Sequence, residues 1–197
     1  MTSKATRVLS LCILACAFWL SHGSQARVFP DRYDGQIEKA AKRYMPVASA
    51  AFGWRILKAQ YFQESRLVPG AESPVGAAGI AQFMPATWAD ISQRMGLPAN
   101  ATVYMPRYAI DAGAFYMHSL RSVWSSPRPA RDRHTLALAS YNAGTGNLLK
   151  AQRVAGGATR ACPILSALPR VTGRNAKETQ TYVRRIWRYW RRMTVLH

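Results

Sequence analysis

The sequence predicts a mostly α, compact helical domain, and three observations carry that reading. Apolar residues recur at helical spacing in segment after segment. No stretch alternates apolar and polar residues for long enough to make a convincing strand. Glycine, proline and serine are gathered into a few connections, of which residues 66–79 are the richest, so an irregular loop or small hairpin is expected there.

Taken in order, Tyr33 to Met45 ("YDGQIEKAAKRYM") puts Ile37, Ala40, Ala41 and Tyr44 on one face, with Asp34 as the candidate N-cap. A second helix is expected from about Ser49 to Ser65, with Phe52, Ile56, Ala59 and Phe62 in a row. It must stop before Pro69-Gly70. Pro85 is placed to open a helix through Trp88, Ile91 and Met95 that closes at Gly96. Tyr108 to Trp124 has the clearest stripe: Ala112, Phe115, Tyr116, Ser119, Leu120 and Val123. His134 to Gly144 reads as a short helix ended by glycine. From there to Pro169 the pattern is weak. A last helix, from about Lys177 to Met193, carries Tyr182, Ile186, Tyr189 and Met193 along one side.

With 197 residues and 49% apolar content, the chain can bury one ordinary core and is not disordered by composition. Its first 26 residues look separate. Lys4 and Arg7 precede a 13-residue, largely apolar run from Val8 to Leu20, and Ser24 and Ala26 are the small residues a signal peptidase inspects. Thirteen helical residues fall short of the ~30 Å of a bilayer core, so a cleaved signal peptide over 1–26 is expected, with export to the periplasm or beyond. Two other fates fit the same residues: lipidation at Cys16, whose "ILAC" context loosely resembles a lipoprotein box, or retention as an anchor. The expected organisation is thus 1–26 signal, 27–46 a lead-in helix, and 47–197 the main domain.

Cys12 and Cys16 fall inside the signal, which leaves Cys162 alone and no internal disulfide. No CxxC or HExxH pattern occurs, and the four histidines are scattered, so neither a metal nor a cofactor is expected. Lysine and arginine number 27 against 9 aspartates and glutamates, a formal charge of +18. Such a field draws polyanions, whether nucleic acid, anionic lipid or acidic wall polymer. The tail "RRIWRYWRRM" (Arg184 to Met193) concentrates it: one side suits packing, and the arginines suit an anionic envelope or membrane surface.

Against so much positive charge, Glu64 is conspicuous. It follows Tyr61 and Phe62 at the end of the second helix and precedes the Gly-rich loop. A carboxyl held among aromatics loses solvation and its pKa rises, which a general acid near neutral pH requires. A helix-terminal glutamate on the surface is the plain alternative. Glu38 needs no such account, because Lys42 lies one turn away.

The residues after Glu64 resemble the signature of the soluble lytic transglycosylases, lysozyme-like enzymes that cut bacterial peptidoglycan. Glu64-Ser65, Pro69, Ala71, Ser73, Gly76-Ala77 and Gly79-Ile80-Ala81-Gln82 stand at its spacings, followed by Met84-Pro85-Ala86-Thr87-Trp88. Tyr141-Asn142-Ala143-Gly144 and Glu178-Thr179-x-x-Tyr182-Val183 match two further blocks in family order. Ala81 departs from the Met of many relatives. The resemblance spans roughly Val47 to Trp190 and implies a lysozyme-like fold with a catalytic cleft.

The resemblance further implies that Glu64 is the single acid and base. It would protonate the oxygen between N-acetylmuramic acid and N-acetylglucosamine, then take the proton of the muramic 6-hydroxyl as that group closes a 1,6-anhydro ring. Ser73, Gln82, Tyr141, Asn142 and Tyr182 are the implied substrate-binding residues. For Ser73 and Gln82 a loop-stabilising role is the alternative, and for Tyr182 plain core packing. The implied partners are peptidoglycan strands, with the protein a monomer and no nucleic acid bound. Two other functions stay open on sequence: a lysozyme-type hydrolase of the same bond, and a cationic protein that binds or permeabilises the envelope. Spacing alone leaves Glu72, Asp90, Asp111 and Glu178 free to fold near Glu64.

Overall fold

The computed structural model describes residues 29–195, and from Asp31 onward the chain forms one compact unit. The expected signal segment lies outside the described residues. No helix among the described residues is long and apolar enough to cross a membrane.

The first helix, α1 (Asp34–Tyr44), buries Ile37, Ala40 and Ala41. Tyr33 occupies its N-cap and Asp34 sits one position inside, so the expected cap is displaced. Asp34 is drawn instead to the buried Lys58, 2.6 Å away on α3 (Arg55–Ser65). The single helix expected over 49–65 is two. α2 (Pro46–Phe52) ends where Gly53 turns to φ +69°, a conformation that glycine adopts without strain, and α3 then sets off in a new direction.

α3 is the centre of the fold. Ile56, Leu57, Lys58, Ala59, Gln60, Tyr61, Phe62 and Ser65 are all buried, so it is covered on nearly every side. α5 (Pro106–Val123) crosses it closely at Gly113, where a Cβ would meet the hydroxyl and ring of Tyr61. The Tyr61 hydroxyl, thus admitted, donates to the Ile110 carbonyl at 2.6 Å. α4 (Pro85–Arg94) begins at proline, as expected, and α6 (Ala130–Ala143) begins directly after Pro129, four residues earlier than the apolar pattern indicated.

Residues 145–169, weakly patterned in sequence, fold into α7 (Thr145–Val154), α8 (Ala161–Ala167) and the start of α9 (Pro169–Thr172). These helices are short: α7 buries only Leu148 and Ala151, α8 only Ala161, Ile164 and Ala167, and α9 none. That is too few to mark a period. A 3-10 turn leads into α10 (Ala176–Val195), which lies along α3.

The apolar side of α10 packs as expected, burying Tyr182, Val183, Ile186, Trp187, Tyr189 and Met193. Trp187 donates to the Thr135 hydroxyl at 3.0 Å and Trp190 to the Phe52 carbonyl at 2.7 Å. Both indoles also meet Phe52 edge-on. The tryptophans are therefore committed to packing, while Arg184, Arg185, Arg188, Arg191 and Arg192 remain at the surface.

Candidate active site

A cleft of about 710 Å³ opens beside the C-terminal end of α3, between the loop after it, the end of α6 and the first turns of α10. The loop is held by its own backbone. Ala78 and Phe83 exchange N–H···O bonds of 3.0 and 2.9 Å, and isolated antiparallel bridges join Glu72 to Ala78 and Ala78 to Phe83. These are the only sheet-like pairings among the described residues. The Ser65 hydroxyl donates to the Ile80 carbonyl at 2.8 Å, tying α3 to the far side of the loop. At Gly79, φ is +78° and a Cβ would strike the Val103 backbone, so only glycine fits there.

Glu64 stands in the last turn of α3 and lines the cleft. Its side chain is only partly exposed. Burial pushes its pKa from an ordinary 4.5 up to about 8, while a hydrogen bond from the Tyr182 hydroxyl to Oε1 pulls the other way. Burial prevails. The nearby helix C-terminus also disfavours a carboxylate. No other carboxylate contributes to the shift. Glu72 accepts a hydrogen bond from Tyr104, Asp90 pairs with Arg94 and Asp111 faces Arg43. Glu178 lines the same cleft and is exposed.

Tyr182 keeps its proton. Burial first, and then the neighbouring Glu64, raise its pKa well above 10, so it remains a donor to the carboxyl. With Oε1 occupied by that donor, Oε2 is the oxygen free to carry the acidic proton. Tyr141 is raised in the same way, and its hydroxyl donates to the Ala81 carbonyl at 2.6 Å. Its ring packs with Tyr116 and Phe83, 5.2 and 6.3 Å between centroids.

The structure brings Ser73, Gln82, Tyr141, Asn142 and Tyr182 to the same cleft as Glu64. Like the two tyrosines, the other three already have partners there. The Ser73 hydroxyl accepts from the Ala77 N–H at 2.9 Å, and Gln82 Nε2 donates to the Ala71 and Gly79 carbonyls, each at 3.0 Å. Asn142 Oδ1 accepts from Thr179 at 2.7 Å, linking α6 to α10. Gln82 is held at φ +48°, uncommon for a side-chain-bearing residue.

Sequence reasoning did not single out the other wall. Lys177, Thr181 and Arg185 line the cleft from one face of α10, at i, i+4 and i+8, with Arg174 just before them. That spacing was available in the sequence. It was masked because Arg185 falls inside the denser arginine run from Arg184 to Arg192.

A mostly helical domain whose cleft holds one carboxyl of raised pKa, beside the exposed Glu178, and an amide- and hydroxyl-rich wall has the lysozyme-like design. Residues 37–161 match the model of the Transglycosylase SLT domain, and the chain belongs to that family. It is 34% identical over 125 residues to membrane-bound lytic murein transglycosylase F of Histophilus somni (strain 129Pt), covering 62% of this chain and 24% of that protein. To the protein of the same name from Haemophilus influenzae (strain PittEE) it is 32% identical over 140 residues, 69% of this chain and 28% of the other.

Among solved structures it resembles the lytic transglycosylase Slt of Pseudomonas aeruginosa, determined as an inactive Glu-to-Gln mutant. The TM-score is 0.63 at 26% identity, covering 82% of this chain and 24% of that one. The 70 kDa soluble lytic transglycosylase of Escherichia coli gives the same TM-score at 25% identity, with the same coverage. The chain thus spans about a quarter of the length of the relatives it matches.

Proposed function

We propose that this protein is a peptidoglycan lytic transglycosylase in which Glu64 alone moves the protons. The observation that carries the proposal is the match of residues 37–161 to the Transglycosylase SLT domain, and a cleft carboxyl whose pKa is raised to about 8 supplies the acid it requires. Most glycosidases that use water as nucleophile or a covalent intermediate work with two carboxyls about 5 to 9 Å apart. A nucleophile within the substrate removes the need for the second.

Protonated Glu64 gives its Oε2 proton to the glycosidic oxygen as the bond to C1 of the muramic residue breaks, releasing the neighbouring sugar with a free 4-hydroxyl. Positive charge develops at C1, and the 6-hydroxyl oxygen of the same muramic residue attacks it. The Glu64 carboxylate takes the 6-hydroxyl proton, which restores the acid and leaves a 1,6-anhydro end. No water is consumed. Tyr182 holds Oε1 throughout, and its own proton stays in place because its pKa lies far above that of the carboxyl.

Ser73, Gln82 and Asn142 present the polar groups that meet the acetamido and hydroxyl groups of the glycan, with Gln82 offering Oε1 because its nitrogen is engaged in the loop. The exposed Val75 and Met84 supply apolar edges for sugar faces. This reading belongs with export: residues 1–26 carry a signal-peptide pattern, and the outward arginines of α10 suit an anionic envelope surface.

The test is digestion of purified sacculi by the wild type and Glu64→Gln, with the soluble products weighed by mass spectrometry. Anhydro-muramyl fragments from the wild type and none from the variant are expected. Equal lysis by both would favour a cationic envelope-permeabilising protein instead.

A further inference from the structure

Away from the cleft, a second pocket of about 340 Å³ lies on the α5–α6 side of the unit, lined by Val47, His118, Arg121, Ser122, Ser125 and Arg133. Arg121 is its unusual member. The residue is only 7% exposed, yet its guanidinium makes a single hydrogen bond among the described residues, to His134 Nδ1 at 3.0 Å. No carboxylate among the described residues pairs with it.

Nor does a neighbour supply the missing charge. His134 accepts the bond at Nδ1 and is neutral, its pKa pushed down to about 3 by burial and then by Arg121 itself. Arg133 is close enough to repel Arg121, and it spends Nε and Nη2 on the carbonyls of Trp124 and Ser125. Asp132, next along the chain, is taken by Arg160. Two guanidiniums therefore face one pocket with no anion between them. Burying a charge is unfavourable unless it is paired, and Arg121 remains charged at neutral pH even though burial lowers it to about 10.

We propose that this pocket binds a phosphate group, held by Arg121 and Arg133 with His118 and the serine hydroxyls at its mouth. The donors outnumber what the two oxygens of a carboxylate can use, whereas the three or four oxygens of a phosphate match them and its charge balances both arginines. The pocket admits the phosphate together with part of the group that bears it, so free phosphate and a phospholipid headgroup share the required chemistry. The site is independent of the cleft and does not rest on the activity proposed for it.

The test titrates inorganic phosphate into the full chain by calorimetry at constant ionic strength and follows the melting temperature in parallel. Saturable binding and a rise in melting temperature that chloride does not produce are expected. Ser122→Glu sets a carboxylate at the pocket mouth. It should raise the melting temperature in phosphate-free buffer and weaken phosphate at least ~tenfold, the scale of one charged hydrogen bond.

Arg133→Lys, which keeps the charge but loses the bonds to the Trp124 and Ser125 carbonyls that aim the side chain, should weaken phosphate by a smaller factor while the protein stays folded. Vesicles of phosphatidylglycerol, set against phosphatidylcholine, separate the sources. Capture that Ser122→Glu loses identifies a headgroup, and capture that it keeps identifies soluble phosphate. Phosphate acting no differently from chloride, or binding Ser122→Glu as well as wild type, overturns the proposal.

Discussion

At the scale of the residue, Glu64 is a group kept from ionising by its surroundings, and two pH dependences follow. In the proposed mechanism Glu64 acts in its protonated form, so kcat/KM should be level below neutrality and fall as pH rises through about 8, a limb that a pH–rate profile measures directly. Stability moves the other way. The folded pKa lies above the ordinary 4.5, so ionisation is harder in the folded chain than in the unfolded one. The resulting destabilisation is absent below about pH 4.5, grows between there and 8, and is complete above it. Glu64→Gln should therefore gain about 1–2 kcal/mol at pH 8, a figure discounted for the accessible edge of the carboxyl, and nothing at pH 4; denaturant midpoints at both pH values check this.

Tyr182→Phe removes the one interaction that lowers the Glu64 pKa. The alkaline limb should shift upward while kcat falls ~10–100-fold, because the carboxyl loses the donor that orients it. A limb that stays in place would show that the hydroxyl does not act through Glu64.

At the scale of the element, α3 and its loop behave as one part. Ser65 follows Glu64 in the signature because its hydroxyl reaches the Ile80 carbonyl and locks the loop to the helix end. Ser65→Ala leaves that buried acceptor without its partner and should lose about 1–3 kcal/mol in urea unfolding. Gly113→Ala drives a methyl group into Tyr61 and should lose a similar ~1–3 kcal/mol by overpacking.

The long helices were legible in the sequence because their stripes are wide. α10 buries the stripe expected of it, and Pro85 marked the start of α4. α5 was legible as a helix, but it turns Ala109, Ile110, Gly113, Ala114 and Met117 inward and leaves Phe115, Tyr116 and Ser119 half-buried and Val123 exposed. The reason is that its small residues admit the close approach of α3. The break at Gly53 was not legible. Phe52 and Ile56 continue the apolar row across it, so the period gave no sign that the backbone turns there. The short helices α7 to α9 escaped for the opposite reason, since each buries too few residues to repeat. At the site, the signature residues could be named individually. Their present partners could not, because Gln82 finding the Ala71 carbonyl, or Asn142 finding Thr179, depends on how the loop and α10 meet.

At the scale of the whole molecule, the full chain carries a formal charge of +18, and α10 commits its apolar side to packing while its arginines stay outside. Attraction to an anionic wall is then largely long-range and screened by salt. Glu64→Gln, which binds without cutting, should sediment with sacculi at low ionic strength and release progressively as salt rises toward 1 M. Retention that ignores salt would place the affinity in the cleft rather than in the field.

The central claim is that the second half of the reaction uses the substrate's own hydroxyl and no water. Digestion of sacculi in heavy-oxygen water tests it most directly. Muramyl ends should carry no label and weigh one water less than reducing ends. A labelled oxygen at each cut end would make the enzyme a hydrolase and contradict the single-residue mechanism.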